Sequence, residues 1–249
     1  MINNPDTRIY LREFKDLNRI FSIFTQADGV EKEPRRDILD KLLLQLNFVS
    51  KAIVNMIRAQ HGLIYIASSP LGLASLIAAL NQPIKLYKQL AILNLFIEVF
   101  DVPLYVGGNI YLSSTSTAPG QSQNLLNNYV ALLLQAFYHC GVYEALIRVG
   151  INSEENSELN CKSRFLLKKI MYLSSNLLPE VPQIATLVNI ATDFEPESLH
   201  IPGSEISSSE NTRRSRATKI IRELSEISLR NPLEVQRDNE LFQQSLSMF

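Results

Sequence analysis

The chain has no tryptophan, two cysteines, three histidines, nine glycines and eleven prolines in 249 residues. Each scarcity removes a class of protein. Cys140 and Cys161 are too few to staple a chain of this length, so they read as thiols of a reducing compartment. Few glycines and many leucines argue against a turn-dense β sandwich and for helices. Neither sign of charge dominates: 24 basic residues face 25 acidic ones, for a net charge of −1. That balance gives no electrostatic case for wrapping nucleic acid or coating an anionic membrane. Long apolar runs are missing too. Residues 59–84 and 102–143 hold no Lys, Arg, Asp or Glu. The first window is interrupted by Ser68-Ser69-Pro70 and Asn81-Gln82-Pro83, the second by a Ser/Thr/Gln/Asn-rich stretch and Asn127-Asn128. Neither holds the roughly 20 unbroken apolar residues of a membrane span. Met1-Ile2-Asn3-Asn4-Pro5 lacks the apolar stretch of a secretory leader. No transmembrane segment is expected.

The signatures of catalysis are equally absent. The sequence contains no Gly-x-x-x-x-Gly-Lys-Ser/Thr or Gly-x-Gly-x-x-Gly phosphate loop, no His-Glu-x-x-His, no Cys-x-x-Cys and no Gly-x-Ser-x-Gly elbow. Gly107-Gly108 stands in a polar stretch and reads as a turn. His139 and Cys140 are adjacent, so they point in different directions from one helix end and do not share a metal readily. His61 and His200 stand alone, and Glu154-Glu155 reads as a solvated pair. The expectation is a chain that is not an enzyme and carries no cofactor.

What the sequence does hold is helical periodicity. Leu39, Leu42, Leu46, Val49, Ile53 and Met56 recur at alternating spacings of three and four, which places them on one stripe of a helix from about Ile38 to Ala59. Ser69 and Pro70 suit the cap and first position of a second helix, with Leu71, Leu73, Leu76, Ile77 and Leu80 as its face and Asn81-Gln82-Pro83 as its end. A third, Lys85 to Phe100, is expected to bury Leu86, Leu90, Leu93, Ile97 and Phe100, and to stop before Val102-Pro103. A loop is expected over 103–123. Asn124 to His139 is apolar nearly all round and predicts an interior helix, which Gly141 ends. Val142 to Val149 predicts a short helix. The next, from Ser153–Glu158 onward, has Leu159, Phe165, Leu166, Ile170, Leu173 and Leu177 as its buried side, with Lys162, Arg164, Lys168 and Lys169 mostly away from it. Ile184 to Thr192 is short and apolar. The segment 195–211 is Ser, Glu and Pro rich and reads as disordered. Amphipathic helices follow over Arg213–Leu229 and Leu233–Leu246. Successive short helix pairs predict an all-α fold, an α-solenoid of armadillo or HEAT type, though no repeat period can be fixed. Residues 38–230 form its core domain, with a flanking segment at 1–37 and a terminal helix or tail at 231–249.

Two features are candidates for function. Arg213, Arg214, Arg216 and Lys219 make the only compact basic run, which could hold an acidic partner or a phosphate; the plainer reading is the solvated face of a helix carrying Ile220, Ile221, Leu224 and Ile227. Ser207, Ser208 and Ser209, beside Glu205 and Glu210, are candidate phosphorylation sites whose phosphate would lie near that run and could order it.

Several segments in order resemble the middle domain of the Rictor family: Ser69-Pro70-Leu71-Gly72-Leu73, then Leu90-Ala91-Ile92-Leu93-Asn94-Leu95-Phe96-Ile97-Glu98-Val99-Phe100, then Asn124-Leu125-Leu126-Asn127-Asn128-Tyr129-Val130-Ala131-Leu132-Leu133-Leu134-Gln135-Ala136-Phe137, with Gly141-Val142-Tyr143-Glu144-Ala145-Leu146-Ile147 after it. A later match runs from Leu166 through Leu177-Leu178-Pro179 to Leu187-Val188-Asn189-Ile190-Ala191. The resemblance covers about Leu39 to Leu229. The 103–123 loop looks shorter than its family counterpart and 195–211 looks like an insertion, which puts carried-over loop contacts in doubt but not the fold. The resemblance implies a non-catalytic scaffold subunit of TOR complex 2, in a TOR signalling role. The implied partners are TOR kinase and the other subunits, among them a small WD-repeat protein, with no nucleic acid. A cytoplasmic location is implied, with membrane association through the complex. It also implies a fragment, because Rictor proteins are several times longer. A rival from the same composition is a formin-type or other helical-repeat regulatory module that binds a small GTPase.

Overall fold

A computed structural model describes residues 14–25, 36–58, 71–82, 85–101, 119–178, 183–192 and 208–227. The described residues form an all-α fold. The helices run, in chain order, α1 Phe14–Thr25, α2 Arg36–Arg58, α3 Leu71–Leu80, α4 Leu86–Val99, α5 Pro119–His139, α6 Val142–Asn152, α7 Glu158–Leu177, α8 Ile184–Thr192 and α9 Ser208–Ile227. No single described helix is both long and apolar enough to cross a membrane. The chain divides into two compact units, Met1–Ala145 and Leu146–Phe249, with the boundary inside α6.

In the first unit α1 packs on α3 and α2 packs on α4. The stripe of α2 lies where its spacing puts it, with Leu46, Ile53 and Met56 buried. The faces of α3 and α4 differ from expectation. Leu71 and Leu86 each open a helix and point outward, while Gly72 is buried. Phe21 of α1 explains the glycine: a Cβ on Gly72 would stand 2.5 Å from the ring's Cδ2, so only glycine lets the two helices meet this closely. Helix α4 buries Lys88, Ala91, Ile92, Leu95, Phe96 and Val99 in addition to Leu93, because α1, α2 and α3 all pack on it. One amphipathic stripe is therefore the wrong template for it. Helix α5 shows the opposite error. Its sequence reads as apolar all round, yet Leu132, Gln135, Tyr138 and His139 form an exposed face, and Val130, Leu133, Leu134 and Phe137 the buried one. Phe137 sits edge-on to both Phe96 and Phe100, with ring centroids 5.0 and 4.9 Å away, an arrangement in which positive ring edges meet negative faces. At the end of α5, Gly141 takes φ +78°, a left-handed conformation that glycine adopts without a Cβ penalty. Its N–H donates to the Tyr138 carbonyl, and its own carbonyl accepts from Ala145 in α6.

The second unit is built around α7. Ser157 caps it, accepting from the Asn160 N–H at 3.2 Å, and Glu158 in the first turn suits the positive helix end. Asn156 before it has φ 64°, a conformation asparagine tolerates. The four basic residues assigned to an outward face of α7 are not simply solvated. Lys162 and Lys169 are buried, with Lys162 Nζ 2.6 Å from Glu158 and Lys169 Nζ 6.0 Å from the Phe165 ring centroid. Arg164 and Lys168 both reach Glu223 of α9. The reason is that α9 packs across this side of α7. Gly150 is the second close approach, with the space for a Cβ bounded by Ile220 Cδ1 at 3.2 Å.

Two helices begin earlier than the sequence reading places them. Helix α5 starts at Pro119, inside the loop expected over 103–123, because proline at a first helical position loses no intrahelical bond. Helix α9 starts at Ser208, inside the stretch 195–211 read as disordered. By sequence, Ser207-Ser208-Ser209-Glu210 has the Ser-x-x-Glu pattern that favours a helix start at this point. Ser69, Pro70, the rest of both loops, residues 1–13 and the tail 231–249 lie outside the described residues.

Candidate interaction surface

The basic run separates once its helix is placed. Arg213 is exposed on α9. Arg216 turns inward, and its Nη1 donates to the carbonyls of Ile151 at 2.9 Å and Ser153 at 2.7 Å. These oxygens lie at the carboxyl end of α6, where carbonyls have no intrahelical donor and a cation also complements the negative helix end. Lys219 pairs with Glu155 in the turn between α6 and α7. That contact holds the Glu155 carboxyl below its usual value, chiefly through the hydrogen bond from Lys219 and then through its charge. Two of the four candidate residues therefore hold α9 in place, and Arg213 is left facing outward. The side chain of Arg214 and those of Ser208 and Ser209 lie outside the described ones; Ser208 and Ser209 occupy the first turn of α9, and Ser207 falls before the described residues.

The residues that complete this clamp carry no local motif. Glu223 receives Arg164 from α7 in a largely buried pair. Asn160, buried in α7, donates to the Gly150 carbonyl at 2.7 Å. Arg148 donates to the Ile190 carbonyl at 3.1 Å, near the end of α8. Arg216 and Glu223 act across sequence separations of 59 to 65 residues, beyond the reach of any short pattern. A comparable device in the first unit uses neutral donors. The Tyr129 hydroxyl donates to the Ile57 carbonyl at 2.5 Å, and Gln89 Nε2 to the Leu80 carbonyl at 3.0 Å, in the last turns of α2 and α3.

Burial raises the Cys140 thiol above its ordinary value, which keeps it in the poorly nucleophilic protonated form. Among the described residues, no three His, Cys, Asp or Glu side chains gather as a metal site. Among the described residues, the most exposed large apolar side chains are on α2, where Leu44 and Phe48 are 72% and 78% accessible.

Comparison with known proteins shows the family. Residues 1–179 match the family model described as "Rapamycin-insensitive companion of mTOR, N-term", so the matching region is the family's N-terminal part rather than the middle domain suggested by the residues. The chain is 27% identical over 237 residues to "Protein pianissimo A" of Dictyostelium discoideum, covering 78% of this chain and 21% of that protein. It is 25% identical over 239 residues to "Rapamycin-insensitive companion of mTOR" of Mus musculus and of Homo sapiens, covering 78% of this chain and 13% of each. The chain thus spans about a fifth of the length of the Dictyostelium discoideum relative and about an eighth of the mammalian ones. No solved structure matches it. With the family model covering well over half of the chain, the protein belongs to the family of the rapamycin-insensitive companion of mTOR.

Proposed function

We propose that this chain is a scaffold segment of a TOR complex 2 subunit, catalysing nothing itself and positioning TOR kinase and partner subunits in TOR signalling. The observation that carries the reading is the family match over residues 1–179. The use of polar groups is in keeping with it. Arg148, Asn160, Arg164, Arg216 and Glu223 are each engaged in holding one helix to another. Such a chain offers shape and surface to its partners. On this reading the protein works in the cytoplasm, with membrane association through the assembled complex.

The test is affinity purification of the tagged, full-length product of the native locus, with co-purifying proteins identified by mass spectrometry. TOR kinase and a small WD-repeat subunit are expected in the eluate. Their absence, with the bait intact and abundant, overturns the assignment. Recovery of a nucleotide-loaded small GTPase in their place would favour a helical-repeat regulatory module.

A further inference from the structure

Among the described residues, exposed apolar side chains such as Leu71, Leu86 and Ile190 stand singly and call for no explanation. Helix α2 is different. Lys41, Leu44, Phe48 and Lys51 follow one another at spacings of three, four and three, which places them on one side of the helix. All four are exposed, while the buried stripe of Leu46, Ile53 and Met56 occupies the other side. At a rise of about 1.5 Å per residue the two lysines stand about 15 Å apart along the axis, with the apolar pair between them. Leu44 and Phe48, one turn apart, are the most exposed large apolar residues described. This is the anchor spacing by which one helix takes up another.

The charge pattern selects the occupant. A second copy packed antiparallel on this face would set Lys41 against Lys51 of its mate at both ends. A parallel copy would set each lysine against its equivalent. Either register brings like charges together, which disfavours self-pairing. An anionic membrane surface is the weaker fit, because only two apolar side chains would enter the lipid. A helix with two apolar anchors and carboxylates beyond each of them satisfies both lysines and covers both side chains.

We propose that the outward face of α2, formed by Lys41, Leu44, Phe48 and Lys51, docks an amphipathic helix of a partner protein whose apolar anchors are flanked at both ends by Asp or Glu. The inference stands apart from the assignment to a TOR complex, since it names a partner chemistry and not a complex.

The experiment places a photo-reactive benzoylphenylalanine at position 48 of the full-length protein in its native cells, irradiates, and maps the cross-linked peptide by mass spectrometry. The expected adduct is a segment of another protein with an apolar pair bracketed by acidic residues. Lys41→Glu with Lys51→Glu, both at exposed positions, lowers its yield about fivefold to tenfold, as expected for two exposed ion pairs lost and replaced by repulsion. Changing the partner's mapped carboxylates to lysine in the same cells restores it. The proposal is overturned if the adduct is a second copy of the chain, another segment of the same chain, lipid or a non-acidic peptide. It is overturned equally if no adduct forms with the folded protein present, or if the double charge reversal leaves the yield unchanged.

Discussion

The two units solve one problem with different chemistry. Each must satisfy carbonyls at helix ends that have no donor within their own helix. Among the helix-end contacts described, those of the first are made by neutral groups, the Tyr129 phenol on Ile57 and the Gln89 amide on Leu80, within a core tightened by the Phe96, Phe100 and Phe137 rings. The second uses guanidinium groups, Arg216 on Ile151 and Ser153 and Arg148 on Ile190, and adds the Arg164–Glu223 and Lys219–Glu155 pairs. Close packing depends on volume and hardly on ions. Charged caps and partly exposed pairs weaken with salt and with protonation. The contrast teaches that two units with similar secondary structure need not respond alike to solution conditions.

The comparison can be broken at its strongest point first. Phe137→Ala removes a fully buried ring between two others, and the expected cost is about 3–5 kcal/mol, unchanged by salt. Amide hydrogen exchange by mass spectrometry should show α4 and α5 losing protection at both low and high ionic strength. Next, Arg216→Ala removes two charge-assisted bonds at the end of α6, with an expected cost of about 1.5–3 kcal/mol. Exchange should rise at the α6 end and along α9. A loss equal to that of a surface alanine would show that the guanidinium is ornamental. Tyr129→Phe deletes the neutral equivalent for about 1 kcal/mol. The effect should be the same in 1 M salt, whereas that of Arg216→Ala should shrink; equal salt responses would erase the distinction between the units.

The smallest effect sharpens the comparison through pH. Glu155 is held below its usual value by Lys219, so its folded value is depressed relative to the unfolded chain. Its contribution is present above the ordinary glutamate value of about 4.3 and disappears as pH falls through the lower folded value. The difference in thermal midpoint between the parent and Glu155→Gln is therefore expected to be small near neutrality, to vanish at the acid end, and to vanish also in high salt. A difference that persisted in acid would mean that Glu155 acts through something other than its charge.

Much of the helix content was legible because three-and-four spacing, proline and glycine are local signals. The α2 stripe and the Gly141 break are examples. The starts at Pro119 and Ser208 have local signals too, a proline suited to a first turn and a Ser-x-x-Glu box, within stretches whose composition reads as loop. The faces of α4 and α5 were not legible. A hydrophobic pattern reports how much surface wants burial, not how many neighbours arrive to bury it. The fate of the basic run was equally hidden: Arg216 and Lys219 on one exposed-looking helix read as a surface, and only the turn at 153–157 shows them engaged.

The Tyr129 bond also bears on the order in which the first unit assembles. It closes a span of 72 residues, and bringing the ends of such a loop together costs about 4 kcal/mol of chain entropy that shorter contacts do not face. The Gln89–Leu80 contact between α3 and α4, nine residues apart, costs about 2 kcal/mol on the same scale, roughly half as much. On chain entropy alone, pairing of adjacent helices is expected to come before the arrival of α5 at the end of α2, an order that φ-values at Gln89 and Tyr129 would test. A late contact controls how fast the native state is lost more than how fast it is reached.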